Sequence, residues 1–203
     1  MIVLVDYGLG NIQAFANIYR RLGLPVATAR TPQELDGARK IVLPGVGAFD
    51  WAMDKLNASG MREKLDELVL ERGADVIGIC VGMQMMARRS DEGKLPGLGW
   101  IDAEVVKFDT SGFNQPTHLP HMGWNDIKVT ADDTLFRGIE TPRYYFLHSY
   151  HVVPKSDAHV LATASYGGRF VAAVRAGNVY GTQFHPEKSH GWGISLLKNF
   201  AEI

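Results

Sequence analysis

The chain has 203 residues, 46% of them hydrophobic and 21% charged, with a formal net charge of −1. This composition is typical of a globular protein, and the length predicts one domain, residues 1–203, that buries a substantial core. The near-neutral charge argues against a polyanion as the main partner, and the single cysteine excludes an internal disulfide and a zinc site made of cysteines alone.

The first eleven residues, MIVLVDYGLGN, begin with an apolar run that Asp6 interrupts. They lack a basic n-region and a small-residue cleavage site, so we interpret them as a strand and not as a signal peptide. No apolar run approaches the roughly 18 residues that a membrane helix needs. We therefore expect a cytoplasmic protein.

The first half of the chain alternates short apolar runs with helical patterns. Strands are predicted at Ile2–Val5, Val26–Ala29, Lys40–Leu43 and Asp75–Ile79. Helices are predicted at Asn11–Leu22, within Phe49–Arg72 in two pieces broken near Ser59 and Gly60, and at Val81–Arg88. This alternation predicts parallel strands joined by right-handed crossovers, which is a doubly wound α/β sheet with helices on both faces.

The second half has mostly strand and turn patterns, over Gly99–Thr130 and Tyr144–Phe184. The stretch SYGGRFVAAVRAGNVYGTQF predicts consecutive strands linked by Gly-Gly and Gly-Asn turns. An antiparallel extension or side sheet is therefore expected, followed by a last helix at Ile194–Glu202.

The stretch VIGICVGMQ, residues 76–84, contains the only cysteine. Cys80 lies between a predicted strand and a predicted helix and is flanked by Gly78 and Gly82, the pattern of a nucleophile elbow with cysteine in place of serine. Its sulfur would lie at a helix N-terminus, and the backbone N–H of Val81 would face a developing oxyanion. Cysteine is also often a simple core residue, and this stretch alone leaves both interpretations open.

Two further segments supply partners for Cys80. In QFHPEKS, residues 183–189, His185 and Glu187 project to one face of an extended backbone, so that the carboxylate can hold the tautomer of a catalytic base. In LPGVGAF, residues 43–49, a glycine-rich turn follows a strand and places N–H groups beside the elbow, where they can complete an oxyanion hole. A phosphate loop is the alternative, but G-x-x-x-x-G-K-[ST] is absent and Asp50 is unfavourable for an anion.

These segments resemble the class I glutamine amidotransferases, which use a Cys-His-Glu triad. The resemblance extends through the whole chain in six ordered blocks: DYGLGN at 6–11, LPGVGAF at 43–49, GICVGMQ at 78–84, LPHMGWN at 119–125, YYFLHSY at 144–150 and FHPEKS at 184–189. It implies attack on the glutamine side-chain amide, a γ-glutamyl thioester, release of ammonia and hydrolysis to glutamate, with no cofactor and no metal.

The resemblance also implies the site residues. Cys80 is the nucleophile, His185 the base that later protonates the departing ammonia, and Glu187 the group that orients His185. The positions that match substrate contacts are Gln84, Glu92, His148, Ser149 and Tyr150. The positions expected to form the oxyanion hole are Gly45, Val46 and Gly47, together with the N–H of Val81.

A partner is implied as well, because ammonia released into water would be protonated and lose its nucleophilicity. In the family the partner is a (β/α)8 barrel cyclase of histidine biosynthesis, in a heterodimer, and Lys188 and Trp124 match positions that face it. The alternative is a paralogue that supplies ammonia to a sugar-modifying synthase of surface-polysaccharide biosynthesis, since Ala14, His151 and the segment KSHGWG depart from the family pattern.

The sequence leaves two other classes of function open, a metal-binding protein and another thiol hydrolase. His118 with His121 and His148 with His151 suggest a four-histidine metal site, but residues i and i+3 face opposite sides of a strand. An elbow cysteine also serves other thiol hydrolases, such as papain-like enzymes. The position of Glu187 two residues after His185 favours a glutaminase, as does Gln84 four residues after Cys80.

Overall fold

The structure is a computed structural model, and it describes residues 1–111, 113, 118–130 and 134–203. The strands in chain order are β1 Ile2–Val5, β2 Val26–Ala29, β3 Lys40–Gly45, β4 Asp75–Cys80, β5 Arg89–Ser90, β6 Ala103–Lys107, β7 His121–Asp126, β8 Lys128–Val129, β9 Arg143–His148, β10 Tyr150–Pro154, β11 Val160–Ser165, β12 Arg169–Ala176 and β13 Val179–Thr182. The helices are α1 Ile12–Arg21, α2 Phe49–Ala58, α3 Arg62–Asp66, α4 Val81–Met85 and α5 His190–Glu202.

Single helical turns connect several of these elements. A π-helical turn, Glu67–Glu71, continues α3, and the 3₁₀ turns are Pro32–Leu35, Thr134–Phe136, Asp157–His159 and Pro186–Lys188. Among the described residues, no helix is long and apolar enough to cross a bilayer. Residues 112 and 114–117 of the segment predicted as strand and turn lie outside the described residues.

Within the described residues, eight strands form the main sheet in the order β2-β1-β3-β4-β13-β12-β11-β8. The first five strands are parallel, and β12, β11 and β8 extend the sheet by antiparallel pairing. Two smaller sheets, β10-β6-β5 and β7-β9, lie beside it. The predicted fold class, a mostly parallel α/β sheet with an antiparallel extension and side sheets, is confirmed.

The central strands are buried because helices cover them, which is why they consist of continuous apolar runs. The helix α1 begins where the Asn11 side chain accepts a hydrogen bond from the backbone N–H of Ala14, and it packs Phe15 and Tyr19 into the core. The predicted Gly-Gly and Gly-Asn turns are confirmed, since Gly167 and Gly177 have positive φ in the hairpins that flank β12.

Two helix boundaries differ from the prediction. The helix after Cys80 ends at Met85, three residues before the predicted Arg88, because the Met85 carbonyl accepts the N–H of Leu98 at 2.7 Å and thereby belongs to a tertiary loop. The last helix begins at His190 and not at Ile194. Its extra first turn contains glycines, which weakened the periodic signal on which the prediction depended.

Candidate active site

The turn after β4 places Cys80 at the carboxyl edge of the parallel sheet. Cys80 has φ +55° and ψ −113°, a strained conformation for a residue with a side chain. The turn fits only because its flanking residues are glycines. A Cβ atom on Gly82 would lie 2.0 Å from the Leu43 carbonyl oxygen, and one on Gly78 would lie 2.7 Å from the Gly82 carbonyl oxygen.

His185 lies beside this turn and pairs with Glu187. Its backbone forms a bridge to Tyr145, and the Nδ1 atom of His185 lies 2.8 Å from Oε1 of Glu187, with both side chains almost fully buried. The backbone differs from the extended form predicted for this segment, because Pro186–Lys188 forms a 3₁₀ turn after His185. The turn brings the carboxylate back toward the imidazole.

The charges around His185 favour its protonated form. Burial opposes protonation, but hydrogen bonds to Cys80 and Glu187, together with the negative charges of these two groups, raise the pKa of His185 to about 10. Because Nδ1 contacts Glu187, Nε2 is the atom left to face the sulfur. The His185 ring is therefore held between the Cys80 sulfur and the Glu187 carboxyl group, the geometry in which a histidine activates a cysteine nucleophile.

A cavity of about 350 Å³ opens over this group. Cys80 and His185 line it, and so do nine other residues predicted for the site: Val46, Gly47, Val81, Gln84, Glu92, His148, Ser149, Tyr150 and Lys188. Pro120 and Leu147 also line the cavity, although the sequence patterns did not indicate them.

Three predicted residues do not line the cavity. Gly45 is buried and pairs with Cys80 across β3 and β4, so closely that a Cβ atom on it would lie 2.4 Å from the Gly82 nitrogen. Glu187 lies behind His185 and contacts the site through it. Trp124 is on β7, where its ring is stacked on His190 with the centroids 5.3 Å apart.

Glu92 lies at one side of the cavity and is held by the backbone. The N–H of Phe49, the first residue of α2, donates to its Oε2 atom at 2.9 Å. The carboxylate is therefore fixed in position, and its negative charge suits a ligand ammonium group.

The family model for class I glutamine amidotransferases matches residues 3–203. The chain belongs to the class I glutamine amidotransferase family. The subunit HisH of imidazole glycerol phosphate synthase from Bdellovibrio bacteriovorus is 58% identical over 204 residues, and that from Leptospira interrogans is 47% identical over 204 residues. Each of these alignments covers 100% of both chains.

Solved structures are similar in fold. A crystal structure of a glutamine amidotransferase matches with a TM-score of 0.76 and 21% identity, over 100% of this chain and 98% of that one. PurLQS from Thermotoga maritima matches with a TM-score of 0.72 and 20% identity, over 99% and 97% of the two chains. At this identity the similarity concerns the fold alone.

In this amidotransferase, Gln183 is a site residue that the sequence interpretation missed. It is fully buried, its Nε2 donates to the Cys80 sulfur at 3.7 Å, and its Oε1 accepts from Nε2 of Gln84 at 3.0 Å. Gln84 also donates to the Tyr150 carbonyl oxygen at 3.1 Å, which uses both of its amide protons and leaves its oxygen for a ligand. The sequence does contain a signal for this role. Gln183 lies two residues before His185, and in an extended chain side chains two residues apart point to the same face.

The amidotransferase also has a buried histidine pair beside the cavity. Nδ1 of His121 lies 3.0 Å from Nε2 of His148, whose own Nδ1 lies 2.8 Å from the Tyr150 carbonyl oxygen. Because a carbonyl only accepts, His148 donates from Nδ1 and accepts from His121 at Nε2. Desolvation lowers the pKa of His121 to about 4, and desolvation together with neighbouring histidines lowers that of His148 to about 3, so both rings are neutral near pH 7.

Contacts within the protein account for three of the four histidines whose spacing suggests a metal site. His121 and His148 are hydrogen-bonded to each other, and His151 packs against Phe108 with a centroid distance of 4.7 Å. Over the described ranges, no group of three or more histidine, cysteine, aspartate and glutamate side chains lies close enough together to hold a metal ion.

Exposed apolar residues extend from the cavity along the β7-β9 sheet. We define the apolar rim as Val46, Met122, Trp124 and Leu147, each of which exposes more than a third of its surface. Met122 and Leu147 are cross-strand neighbours in the β7-β9 sheet, so the rim is continuous there. Exposed apolar residues grouped in this way usually mark an interaction surface.

Proposed function

We propose that this chain is the glutaminase subunit of imidazole glycerol phosphate synthase. It hydrolyses L-glutamine and passes the ammonia to a (β/α)8 cyclase subunit, which makes imidazole glycerol phosphate and aminoimidazole carboxamide ribotide in histidine biosynthesis. The observation that carries this proposal is that Cys80 and His185 line one cavity while Glu187 holds His185 from behind. The relatives that are 58% and 47% identical over their full length support the pathway.

The first chemical step is attack by the Cys80 thiolate on the side-chain amide carbon of glutamine. A C–S bond forms, and the amide oxygen takes the negative charge of a tetrahedral intermediate. The N–H of Val81 and the loop Gly45–Gly47 stabilise that oxygen. His185, already protonated, is placed to give its Nε2 proton to the amide nitrogen.

Collapse of the intermediate breaks the C–N bond and releases ammonia, leaving a γ-glutamyl thioester on Cys80. His185, now neutral, accepts a proton from a water molecule that attacks the thioester. The C–S bond then breaks, glutamate leaves, and the thiolate and imidazolium are restored. Glu187 keeps Nδ1 of His185 protonated throughout, so that Nε2 is the atom that exchanges protons.

We assign substrate orientation to two polar residues that line the cavity, Glu92 and Gln84. The Glu92 carboxylate binds the α-ammonium group of glutamine, and the free amide oxygen of Gln84 accepts from the same group. The backbone of Ser149 and Tyr150 lines the remaining wall.

The partner docks on the apolar rim, and its approach covers the cavity mouth. Ammonia then passes into the cyclase without entering bulk water, where protonation would remove its nucleophilicity. Lys188 lies at the same mouth, with its ammonium 5.8 Å from the Tyr145 ring centroid, and it contacts the partner there. We place this activity in the cytoplasm, where a free nucleophilic cysteine stays reduced.

The test is to mix the purified chain with the cyclase subunit of the same organism and its nucleotide ligand, and to measure glutamate release and ammonia transfer. We expect glutamine-dependent synthesis of imidazole glycerol phosphate. The Cys80→Ala variant should lose it entirely, while the same complex supplied with ammonium salts should still make the product. Failure of the wild-type complex to release glutamate would refute the proposal, and activity only with a sugar-modifying synthase would move the chain to the alternative pathway.

A further inference from the structure

The block DYGLGN has no part in the chemistry described so far, yet it lies against the loop assigned to the oxyanion. It follows β1, and its last glycine packs on Pro44, the residue of β3 that precedes the loop. A Cβ atom on Gly10 would lie 2.7 Å from Cβ of Pro44. The block therefore packs closely against the end of β3, and its side chains can hold the backbone there in one position.

Tyr7 makes the decisive contact from this block. Its hydroxyl donates to the carbonyl oxygen of Pro44 at 2.7 Å and lies 3.5 Å from Sδ of Met85 in α4. The side chain is only 5% exposed. Burial, together with the negative charge of Cys80, raises the pKa of the phenol, so it stays a protonated donor at working pH.

This hydrogen bond lies beyond the point where β1 and β3 stop pairing. β3 pairs with β1 only as far as Val42, which is opposite Leu4, whereas on its other side it continues to pair with β4 as far as Gly45, opposite Cys80. Beyond Val42, the β1 side of β3 is therefore held by the Tyr7 hydroxyl.

The Pro44 carbonyl, which accepts this hydrogen bond, belongs to the peptide between Pro44 and Gly45, and the oxyanion loop begins at Gly45. Because the peptide unit is planar, fixing the Pro44 carbonyl also fixes the direction of the Gly45 N–H and the position of the Gly45 Cα atom. Val46 and Gly47 follow at once and line the cavity, so the position of the Pro44 peptide sets where this part of the loop begins.

We propose that Tyr7 is a positioning residue for the oxyanion loop, and that it acts through its hydrogen bond to Pro44. This inference rests on the proposed glutaminase function. Tyr7 does not touch the substrate or the sulfur chemistry directly, so its loss should affect steps that form an oxyanion and spare those that do not.

The test compares two reactions of Cys80 in the Tyr7→Phe variant, in complex with the cyclase subunit. Glutamine hydrolysis passes through an oxyanion, whereas alkylation of Cys80 by iodoacetamide does not. Direct loss of an oxyanion donor costs about 100- to 1,000-fold in kcat, so loss of a positioning contact should cost about 10- to 50-fold. We expect KM and the alkylation rate to stay within about twofold, since substrate contacts and the triad are retained.

Tyr19→Phe is the matched control. Tyr19 is fully buried in α1, and within the described residues its hydroxyl has no hydrogen-bond partner, so the variant removes a buried phenol oxygen without affecting the loop. Replacement of Tyr7 by 4-aminophenylalanine restores a donor at the same place and should recover most of kcat. This rescue also covers the case in which Tyr7→Phe fails to fold.

The outcomes are distinct. A lower kcat with normal alkylation, recovered by the amino variant, supports the inference. An unchanged kcat, a parallel fall in alkylation, an equal loss in Tyr19→Phe, or no recovery with the donor restored would each overturn it. A wild-type complex without glutaminase activity overturns the proposed function instead, and this inference with it.

Discussion

At the scale of the residue, the site depends on how its few buried polar atoms are paired. The Cys80 sulfur lies 3.7 Å from the Gln183 amide nitrogen and 3.8 Å from the Leu147 carbonyl oxygen, besides its contact with His185. Of these groups, His185 and Gln183 stabilise negative charge on sulfur by donating to it. The Gln183 amide is in turn oriented by Gln84, so that the residue assigned to substrate binding also supports the nucleophile.

The first prediction tests the hydrogen bond that the Gln183 amide donates to the Cys80 sulfur. Gln183→Met keeps the volume but removes the N–H that faces the sulfur, so alkylation of Cys80 by iodoacetamide at pH 7 should slow by about three- to tenfold, in line with a charge-assisted hydrogen bond that is longer than usual. The rate is followed by mass spectrometry of the intact chain.

The control for this prediction is Thr182→Val. Thr182 is equally buried and loses a hydrogen bond of 3.1 Å to the Phe184 carbonyl oxygen, but it does not contact Cys80. It should lose stability and keep its alkylation rate. Equal rates in wild type and Gln183→Met would show that the amide does not assist the thiolate.

At the scale of the element, the β7-β9 sheet joins the cavity wall to the apolar rim. Its inner face carries the His121 and His148 pair, which are opposite each other in the register, and its outer face carries Met122 and Leu147. A shift of one residue in either strand would exchange these faces, so the pairing of the histidines also keeps the rim outside. Asn125 continues the chain of hydrogen bonds by donating to the Ser165 carbonyl oxygen at 2.9 Å.

The second prediction concerns the pH dependence of this pair. The pKa values of about 4 and about 3 lie below the ordinary value of 6.5, so the unfolded chain takes up protons that the folded chain does not. The free energy of unfolding should therefore be retained above pH 6.5 and fall as the pH is lowered from 6.5 toward 4. His121→Asn keeps a donor near the Nδ1 position but does not titrate, so its stability should fall less steeply.

Urea denaturation at four pH values between 4.5 and 7.5 measures this difference in slope. His118→Asn serves as the control, because His118 is exposed and its side chain takes no part in the pair. The same slope for His121→Asn as for wild type would mean that the pair does not control the acid sensitivity.

At the scale of the whole molecule, the cavity and the rim both lie at the carboxyl edge of the parallel strands. This is the edge where open α/β sheets bind ligands, since the loops that leave the strands converge there. A partner that docks on the rim therefore covers the catalytic group without touching the core. The opposite edge also exposes an apolar residue, Leu70, which is 59% exposed in the π-helical turn before β4.

The third prediction compares how much an exposed apolar residue at each edge contributes to binding of the cyclase subunit. Trp124→Ala removes a large, partly exposed aromatic side chain from the rim and should weaken binding of the cyclase subunit by at least about tenfold, as expected for an aromatic anchor. Leu70→Ala should leave the affinity unchanged. Isothermal titration calorimetry measures both, and alkylation of Cys80 should be normal in each. Equal effects of the two substitutions would place the interface elsewhere.

Much of the fold was predictable because it depends on local patterns. Buried parallel strands are continuous apolar runs, and amphipathic helices repeat with a period of 3.6 residues, so the order of β1, α1, β2, β3 and β4 follows from the sequence. The end of α4 was not predictable in the same way. Its Met85 carbonyl is bound by Leu98, thirteen residues further on, and local propensity carries no information about such a contact.

The sequence by itself determined the fold class and the family, and its six ordered blocks predicted the triad Cys80, His185 and Glu187, because residue type and order along the chain carry that information. Only the tertiary structure decided which other groups support them. Gln183 meets Cys80 across 103 residues, Tyr7 meets Pro44 across 37, and His121 meets His148 across 27. Contacts of this kind arise when strands distant in sequence are packed side by side, and that arrangement depends on the whole sheet and not on any one segment.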